Sequence, residues 1–342
     1  MESIYNFTEK ELKSKLTSNG FPGYTARQIF EWVYDKKVQD FGLMSNLSKE
    51  LREFLKKSLS TKKLGFIKKE KSSDRTEKFL FKLEDDLAIE TVLIPAKERD
   101  TLCVSTQVGC KFKCLFCASG EKGFKRNLTA GEIISQYLSV ANLRTSTKIT
   151  NIVFMGIGEP LDNFENTIKS IEILVNSKGI NFAKRRISIS TCGLVPEIKK
   201  LAKLKLGIRL SVSLHSADNS IRRGLMPINE KYPIEELILA IREFSKESKD
   251  PITFECVLIQ GVNTSMDQAK KLAKLLNGVN GKANLIPYNG VSSKFKAPTQ
   301  EEIDLFSQEL KRRGAFFTLR KSRGQDINAA CGQLKAKYSL EK

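Results

Sequence analysis

Histidine is almost absent from this chain of 342 residues, which contains only His215. A single imidazole disfavours a histidine-based metalloenzyme, because such sites need several histidine ligands. Long apolar runs are missing as well. No stretch approaches the roughly 18 residues that cross a bilayer, and no basic-then-apolar leader follows Met1. We therefore predict a cytoplasmic protein that has no membrane partner.

Acidic residues are scarce relative to basic ones. The chain has 58 Lys and Arg but only 39 Asp and Glu, which gives a formal net charge of +19. A surplus of this size predicts a polyanionic partner that is bound with strong salt dependence. No amphipathic basic helix stands out, so nucleic acid is favoured over a membrane surface. A generally basic proteome is the alternative that charge alone leaves open.

The cysteine pattern lacks the even number and regular spacing of a secreted disulfide framework. Three of the seven cysteines, Cys110, Cys114 and Cys117, follow a C-x3-C-x2-C spacing. A structural zinc site would need a fourth ligand, so three thiolates indicate a centre with a vacant position. Thiolates on one short loop suit an iron–sulfur cluster, in which each cysteine holds one iron.

Residues 1–75 are predicted to form a helical accessory domain. Thr8 and Glu11 make a capping-box pattern, and the apolar residues that follow recur at helical spacing. Residues 76–95 are predicted to form a β-hairpin. Glu90 lies on the apolar side of its second strand, where it is either a buried base or, as the pattern alone favours, an exposed edge residue.

Strands and helices alternate regularly in residues 96–328, which we predict to be the core domain. Strand-like runs lie near residues 101–106, 149–155, 186–191, 208–214, 252–259, 283–287 and 315–320. Strict alternation predicts parallel strands with right-handed crossovers, in either a barrel or a doubly wound sheet. In both architectures the ligand lies at the carboxyl ends of the strands. Residues 329–342 form a C-terminal segment.

Polar and small residues follow the ends of successive predicted strands. They include the turn Gly158-Glu159-Pro160, in which glycine allows close backbone approach, then Ser190, the run Ser213-Leu214-His215, and Asn289. We expect them to form one pocket, with His215 in its wall. Two further cysteines, Cys103 on the first strand and Cys331 in the C-terminal segment, are hypothesised to meet there as a thiol pair.

The motifs resemble the radical S-adenosylmethionine (SAM) superfamily and, more narrowly, its RlmN/Cfr family of adenine methyltransferases. The cysteine triad and the Gly-Glu-Pro turn carry the broad resemblance. The narrower one runs from about residue 20 to the end and rests on these segments: Glu90-Thr-Val-Leu-Ile-Pro95, Cys103-Val-Ser-Thr-Gln-Val-Gly-Cys110, Met226-Pro-Ile-Asn229, Asn284-Leu-Ile-Pro-Tyr-Asn289 and Ala330-Cys-Gly-Gln-Leu334.

The resemblance implies an α/β fold, a partial (β/α)6 TIM-type barrel with a helical N-terminal domain and a β-hairpin extension. It implies a [4Fe-4S] cluster on Cys110, Cys114 and Cys117, and two SAM molecules per turnover. The implied SAM contacts are Gly158, Glu159, Ser190, Ser213, Leu214, His215 and Asn289.

The resemblance also implies a reaction. A first SAM methylates Cys331, and a second, cleaved at the cluster, gives a 5′-deoxyadenosyl radical that takes a hydrogen from that methyl group. The carbon radical adds to C2 of adenosine, Glu90 accepts a proton, and Cys103 attacks Cys331 to leave a transient disulfide. The implied partners are 23S rRNA at the peptidyl transferase centre, tRNA 3′ of the anticodon, and a low-potential electron donor such as flavodoxin, with the protein a monomer.

Two other functions remain open. The first is a Cfr-type methyltransferase, which modifies C8 of adenine in 23S rRNA and confers antibiotic resistance. Pro160 and the segment Pro287-Tyr-Asn289 resemble the C2 branch more closely. The second is a non-catalytic RNA-binding protein that carries a structural metal.

Overall fold

The computed structural model describes residues 1–121, 123–143, 148–248 and 250–336. The predicted C-terminal segment therefore lies outside the described residues beyond position 336. The N-terminal part contains a small helical unit and a short two-stranded sheet. Its elements are β1 (Glu2–Ser3), α1 (Glu9–Thr17), α2 (Thr25–Phe30), α3 (Lys49–Ser58) and β2 (Leu59–Ser60).

Helix α1 begins as the sequence predicts. The Thr8 hydroxyl accepts a hydrogen bond from the backbone N–H of Glu11, and the Glu11 carboxylate accepts one from the backbone N–H of Thr8. This exchange satisfies two of the N–H groups that a helix start leaves unpaired. The apolar face of the helix, Leu12 and Leu16, is fully buried against the rest of the unit.

The extension is an antiparallel sheet of three strands, in which a further strand pairs with the predicted two-stranded hairpin. Its strands are β3 (Gly65–Lys71), β4 (Glu77–Lys82) and β5 (Ala88–Pro95). Strand β3 falls within the range assigned to the helical domain, so that boundary prediction was wrong. Three of its seven residues are exposed lysines, which is typical of an edge strand and hides the apolar alternation from a sequence pattern.

The core domain contains the remaining elements of the chain. In order they are β6 (Asp100–Cys103), β7 (Gln107–Val108), β8 (Arg126–Asn127), α4 (Ala130–Leu143), β9 (Asn151–Phe154), α5 (Phe164–Val175), β10 (Ile187–Thr191), α6 (Val195–Lys203), β11 (Arg209–Ser213), α7 (Asn219–Leu225), α8 (Ile234–Glu247), β12 (Ile252–Leu258), α9 (Met266–Asn277), β13 (Gly281–Pro287), α10 (Gln300–Arg312) and β14 (Phe317–Leu319). The predicted alternation of strands and helices is confirmed.

Ten strands form one continuous sheet. Its order is β14-β13-β12-β11-β10-β9-β6-β5-β4-β3, and every pair from β6 to β14 is parallel. Parallel strands in consecutive order wind in one direction, as in a barrel, whereas a doubly wound sheet reverses. Strand β14 does not pair with β6, so the barrel is partial, as predicted. The short β14 adds a seventh parallel strand to the six expected.

The hydrophobic core lies between the parallel strands and the helices that cover them. Phe154, Ile189 and Phe254 on the strands are fully buried, together with Ile134 and Ile171 on the helices. Within the described ranges, no helix combines the length and apolar character that crossing a membrane requires. The packing leaves the carboxyl ends of the strands and their loops free to build a site.

Candidate active site

A cavity of about 160 Å³ opens where the parallel strands end. We call it the main cavity. Its walls include most of the residues predicted from the sequence: Cys110, Cys114, Cys117, Gly158, Glu159, Ser190, Ser213, His215, Asn289 and Cys331. Three predicted residues do not line it. Leu214 is fully buried beneath the wall, Cys103 lies in a neighbouring cavity, and Glu90 lies beside the C-terminal segment.

The cysteine triad sits on the loop after β7, which is fastened at several points. The N–H of Leu115 donates to the carbonyl of Leu225 at 3.0 Å, and the N–H of Ala118 donates to the carbonyl of Gly332 at 2.7 Å. Gly332 has a φ of +85°, and a Cβ there would meet the Phe116 carbonyl at 2.9 Å. The loop is therefore held between α7 and the C-terminal segment.

The three thiols fit an iron–sulfur cluster better than a single metal ion. Among the residues described, no three His, Cys, Asp or Glu side chains converge on one ion. A cluster places each thiolate on a different iron, so its ligands surround a space instead of converging. Burial raises the pKa of Cys110 to about 12. A bound metal is what would hold such a thiol deprotonated.

The Gly-Glu-Pro turn is shaped by the protein beneath it. Gly158 has a φ of +99°, and a Cβ there would lie 2.4 Å from the side chain of Gln107. That glutamine accepts a hydrogen bond from the N–H of Glu159 at 2.8 Å. The close backbone approach predicted for these glycines is therefore an approach to the β6–β7 region of the same chain. It fixes the wall of the cavity.

The Glu159 carboxylate joins two strand-end loops. One of its oxygens accepts from the N–H of Cys192 at 2.7 Å, and the other accepts from the N–H of Leu161 at 3.1 Å. Burial raises the pKa of Glu159, although these hydrogen bonds oppose the shift. The loops after β9 and β10 are thereby held in one position at the cavity wall.

His215 lies in the wall with one ring nitrogen unused. Its Nδ1 accepts from the N–H of Val257 at 3.0 Å, whereas its Nε2 is buried and has no partner. Burial, assisted by Arg222, lowers the pKa of His215 to about 3, so the ring is neutral near pH 7. With Nδ1 as acceptor, Nε2 carries the proton. A buried donor without a partner in a cavity wall indicates that a ligand supplies the acceptor.

The C-terminal segment crosses the mouth of the main cavity and presents Cys331 to it. Asn289 donates from Nδ2 to the carbonyl of Cys331 at 3.0 Å. Gln333 donates from Nε2 to the carbonyl of Asn289 at 2.8 Å and accepts from the N–H of Ala330 at 3.1 Å. Cys331 is thus tied to the loop after β13. Asn289, predicted as a ligand contact, also holds this segment in place.

Cys103 and Cys331 share a cavity, but it is next to the main cavity in which the sequence hypothesis had placed them. Both line a second cavity of about 60 Å³, which we call the thiol cavity, and Cys331 lines the main cavity as well. All seven cysteines are free thiols, so the disulfide that the resemblance implied as a transient state is absent from this structure. Burial raises the pKa of Cys103 to about 12, and the neighbouring Arg320 opposes that shift.

Glu90 is buried, which overturns the exposed-edge alternative. Its side chain is 8% exposed and forms a salt bridge of 3.3 Å with Lys78. Its Oε2 accepts from the backbone N–H groups of Lys335 and Ala336, each at 2.9 Å. The apolar alternation of this strand favoured an exposed position, but β5 is an inner strand of the sheet. It is covered by a segment more than two hundred residues later in the sequence. Glu90 therefore faces the C-terminal segment and not the main cavity.

Two arginines of the site were missed by sequence reasoning. Arg320, directly after β14, hydrogen-bonds Cys331 and lines both the main cavity and the thiol cavity. Arg222, on α7, is fully buried behind the cysteine loop. Arg320 follows a predicted strand end, so its position was a usable signal. The sequence contains no comparable signal for Arg222. It lies in a basic stretch of a short helix, where charged residues are ordinarily solvated.

Comparison with known proteins gives consistent matches. The family model described as "Radical SAM superfamily" matches residues 104–275, and that described as "Ribosomal RNA large subunit methyltransferase N-terminal domain" matches residues 3–60. Proteins named "Dual-specificity RNA methyltransferase RlmN" are similar along nearly their whole length. The one from Nitratiruptor sp. is 42% identical, with 98% of each chain covered, and the one from Nautilia profundicola is 44% identical, with 92% of this chain and 93% of the relative covered.

A solved structure has the same fold. It is described as a radical SAM methyltransferase from Sphaerobacter thermophilus and superposes with a TM-score of 0.92 at 44% sequence identity. The match covers 98% of this chain and 100% of the other. The partial barrel, the extension and the N-terminal helical unit therefore recur together in that protein.

Proposed function

Because this chain belongs to the RlmN family of the radical SAM superfamily, we propose that it methylates C2 of adenosine in 23S rRNA and in tRNA. One observation carries the proposal. Cys331 lines the cavity that contains the cysteine triad and also the cavity that contains Cys103. A methyl carrier must receive its methyl group from SAM and must later be released from the product by a second thiol. A residue that lines both cavities can do both.

The main cavity would hold the cluster and SAM side by side. Cys110, Cys114 and Cys117 would ligate a [4Fe-4S] cluster, which when bound supplies the electron that cleaves SAM to a 5′-deoxyadenosyl radical. The remaining wall residues would bind SAM: Gly158, Glu159, Ser190, Ser213, His215 and Asn289. The Nε2–H of His215 is a free donor for it. Leu214 does not line the cavity and would contribute by holding this wall in place, because its N–H donates to the carbonyl of Glu255 at 3.1 Å and its carbonyl accepts from the N–H of Ser216 at 2.7 Å.

Cys331 would accept a methyl group in the first half of the reaction. Its thiolate displaces S-adenosylhomocysteine from one SAM, so a sulfur–carbon bond forms as the sulfonium bond breaks. The second SAM then provides the radical that removes a hydrogen atom from this methyl group. C2 of adenine is electron-poor and does not attack SAM directly, so a radical carbon that adds to C2 meets the chemical requirement.

Cys103 and Glu90 would complete the reaction. Glu90 would take the proton from C2 while the unpaired electron of the adduct returns to the oxidised cluster. The Cys103 thiolate would then attack the Cys331 sulfur, so that a disulfide forms as the sulfur–carbon bond breaks, and protonation of the released carbon would give the methyl group. Arg320 lines both cavities and opposes the rise in the pKa of Cys103 that burial causes. Glu90 now binds Lys335 and Ala336, so we propose that this part of the C-terminal segment withdraws when RNA enters.

The remaining features of the proposal concern partners. The N-terminal helical domain and the net charge of +19 would grip RNA through its phosphates while the target adenosine is extruded into the cavity. A low-potential electron donor such as flavodoxin would reduce the cluster. We propose a monomer that works in the cytoplasm, where both RNA substrates are found.

Mapping the methyl group tests the proposal. The reconstituted protein is incubated anaerobically with SAM, reductant and a 23S rRNA fragment or tRNA, and the digested RNA is analysed by mass spectrometry against synthetic standards. We expect 2-methyladenosine. Methyl at C8 would assign the chain to the Cfr branch. A colourless protein that releases no 5′-deoxyadenosine would instead support a non-catalytic protein with a structural metal.

A further inference from the structure

Among the described residues, Arg222 is the largest side chain that is fully buried. Its guanidinium donates to Oδ1 of Asn229 at 2.7 Å and to the carbonyl oxygens of Cys192 at 2.8 Å and Ser213 at 3.3 Å. All three acceptors are neutral. Its Nε is buried and has no hydrogen-bond partner. Arg222 is thus a completely buried positive charge, and no carboxylate of the described residues accepts a hydrogen bond from it.

Burying such a charge reduces the stability of the fold unless a negative group nearby compensates for the lost hydration. A buried ion without a counter-ion loses its hydration, and proteins either pair it or neutralise it. Burial lowers the pKa of Arg222 only to about 10, so the side chain remains charged at neutral pH. A negative group is therefore expected close to it in the working protein.

The cysteine loop is the neighbour that can provide that charge. Arg222 donates to the carbonyl of Cys192, which lines the main cavity together with Cys114. Cys114 belongs to the predicted cluster ligands, and the next residue, Leu115, is hydrogen-bonded to the last residue of α7, Leu225. His215, the other titratable neighbour, is neutral near pH 7. Thiolates bound to iron would place negative charge in front of the guanidinium.

We infer that Arg222 is the fixed counter-charge of the iron–sulfur centre, a positioning residue that holds a positive charge behind Cys114. The inference rests on the proposed function, because it requires a cluster on the cysteine triad. Its consequence is electrochemical. Reduction adds an electron to the centre, and a nearby cation stabilises the more negative, reduced state, since cluster potentials depend on local charge.

A redox titration of the full-length reconstituted protein tests the inference. Arg222→Met removes the charge and keeps much of the volume, Arg222→Lys keeps the charge, and Arg223→Met changes an exposed arginine of the same helix as the matched control. At a fixed poised potential we expect Arg222→Met to lower the ratio of reduced to oxidised cluster about tenfold, which is about 59 mV for one electron. Arg222→Lys and Arg223→Met should stay close to wild type.

The outcomes separate the inference from the proposed function. A wild-type protein that binds no iron and shows no reducible cluster overturns the proposed function and the inference with it. A loaded Arg222→Met protein with the wild-type ratio overturns the inference alone. Circular dichroism of each variant before loading reports folding. If Arg222→Met does not fold, Arg222→Lys decides: a wild-type ratio supports the inference, and a ratio lowered tenfold overturns it.

Discussion

Cys331 is the residue at which the two cavities of the site meet. Its sulfur is reached from the main cavity, where the cysteine triad lies, and from the thiol cavity, where Cys103 lies. Its backbone carbonyl accepts a hydrogen bond from the side-chain amide of Asn289, and Arg320 lines both cavities beside it. Two predictions follow from these contacts at the level of single side chains.

Replacing Cys103 tests its role in release. We expect Cys103→Ala to trap a covalent adduct between RNA and Cys331, and turnover to fall below one methylated RNA per enzyme, because no thiol remains to attack the carrier sulfur. A denaturing gel of radiolabelled RNA measures the adduct. Cys256→Ala, at a cysteine buried in β12 away from both cavities, is the control and should turn over normally. Intact methylation by Cys103→Ala without an adduct would contradict the assignment.

Replacing Arg320 tests its support of the carrier thiol. Arg320→Gln removes a cation that hydrogen-bonds Cys331, and loss of a charge-assisted hydrogen bond costs about 1.5–3 kcal/mol. We expect methylation of Cys331 by SAM, followed by intact-protein mass spectrometry, to slow at least about tenfold, with partial recovery in Arg320→Lys. The control is Arg323→Gln, since Arg323 lines the thiol cavity but donates to the carbonyls of Asp74 and Pro95. Equal rates in the two Gln variants would refute the prediction.

At the scale of elements, the turn between β3 and β4 holds the chain that leads to Cys331. Ser72 donates to Asp326 at 2.6 Å, and the N–H of Gly324 donates to Asp74 at 2.9 Å. These bonds join elements separated by about 250 residues of sequence. The extension therefore contributes to the site indirectly, because it anchors the C-terminal segment at its start.

The pH dependence of this anchor can be predicted from Asp74. Burial alone would raise the pKa of Asp74, but hydrogen bonds from Thr76, Gly324 and Ser72 lower it to about 2. A carboxylate whose pKa is lower in the folded state stabilises the fold above its unfolded pKa of 3.8, and that contribution is lost as the pH falls toward 2.

Urea unfolding of wild type and Asp74→Asn at several pH values measures the effect. We expect the variant to be less stable by about 1–2 kcal/mol at pH 7, because a hydrogen bond to a charged group contributes about 1.5–3 kcal/mol and Asp74 is only partly buried, so solvent reduces the effect. The difference should persist to about pH 4 and shrink below it. Asp35→Asn, at an exposed aspartate of the N-terminal helical unit, serves as the control. A difference that is constant down to pH 2 would show that the charge of Asp74 is not responsible.

At the scale of the whole molecule, charge is the dominant feature. The surplus of +19 includes exposed lysines on the edge strand β3, where Lys68, Lys69 and Lys71 lie within four residues. An edge strand with lysines resists pairing with other sheets, and the same side chains can reach phosphates. The antiparallel extension thus offers a basic edge beside the domain that contains the cavity.

Salt dependence of RNA binding tests this surface. The logarithm of affinity should fall linearly with the logarithm of salt concentration, and replacing Lys68, Lys69 and Lys71 by Gln should reduce the slope by about 2–3, because each phosphate contact contributes roughly 0.7–0.9. Fluorescence anisotropy with a tRNA measures it. The control replaces Lys270, Lys274 and Lys311, exposed lysines of α9 and α10. Equal slopes in both triple variants would place the RNA elsewhere.

The sequence by itself determined the architecture of the core and most of the site. Alternating apolar segments and capping residues such as Thr8 define local elements, and β-α alternation then restricts the topology. Because parallel strands share one carboxyl edge, residues after successive strands, such as Glu159 and His215, were expected to meet. This logic requires only chain order, which is why it succeeded for the main cavity.

The tertiary structure decided what depends on contacts between distant segments. Glu90 is buried because residues 335–336 cover it, and β3 is a strand because β4 pairs with it. Arg222 is buried because α7 folds behind the cysteine loop. In each case the local pattern favours solvent exposure, and only packing against a remote segment changes the outcome. Burial of a charged side chain is a property of its surroundings, which a local sequence pattern does not contain.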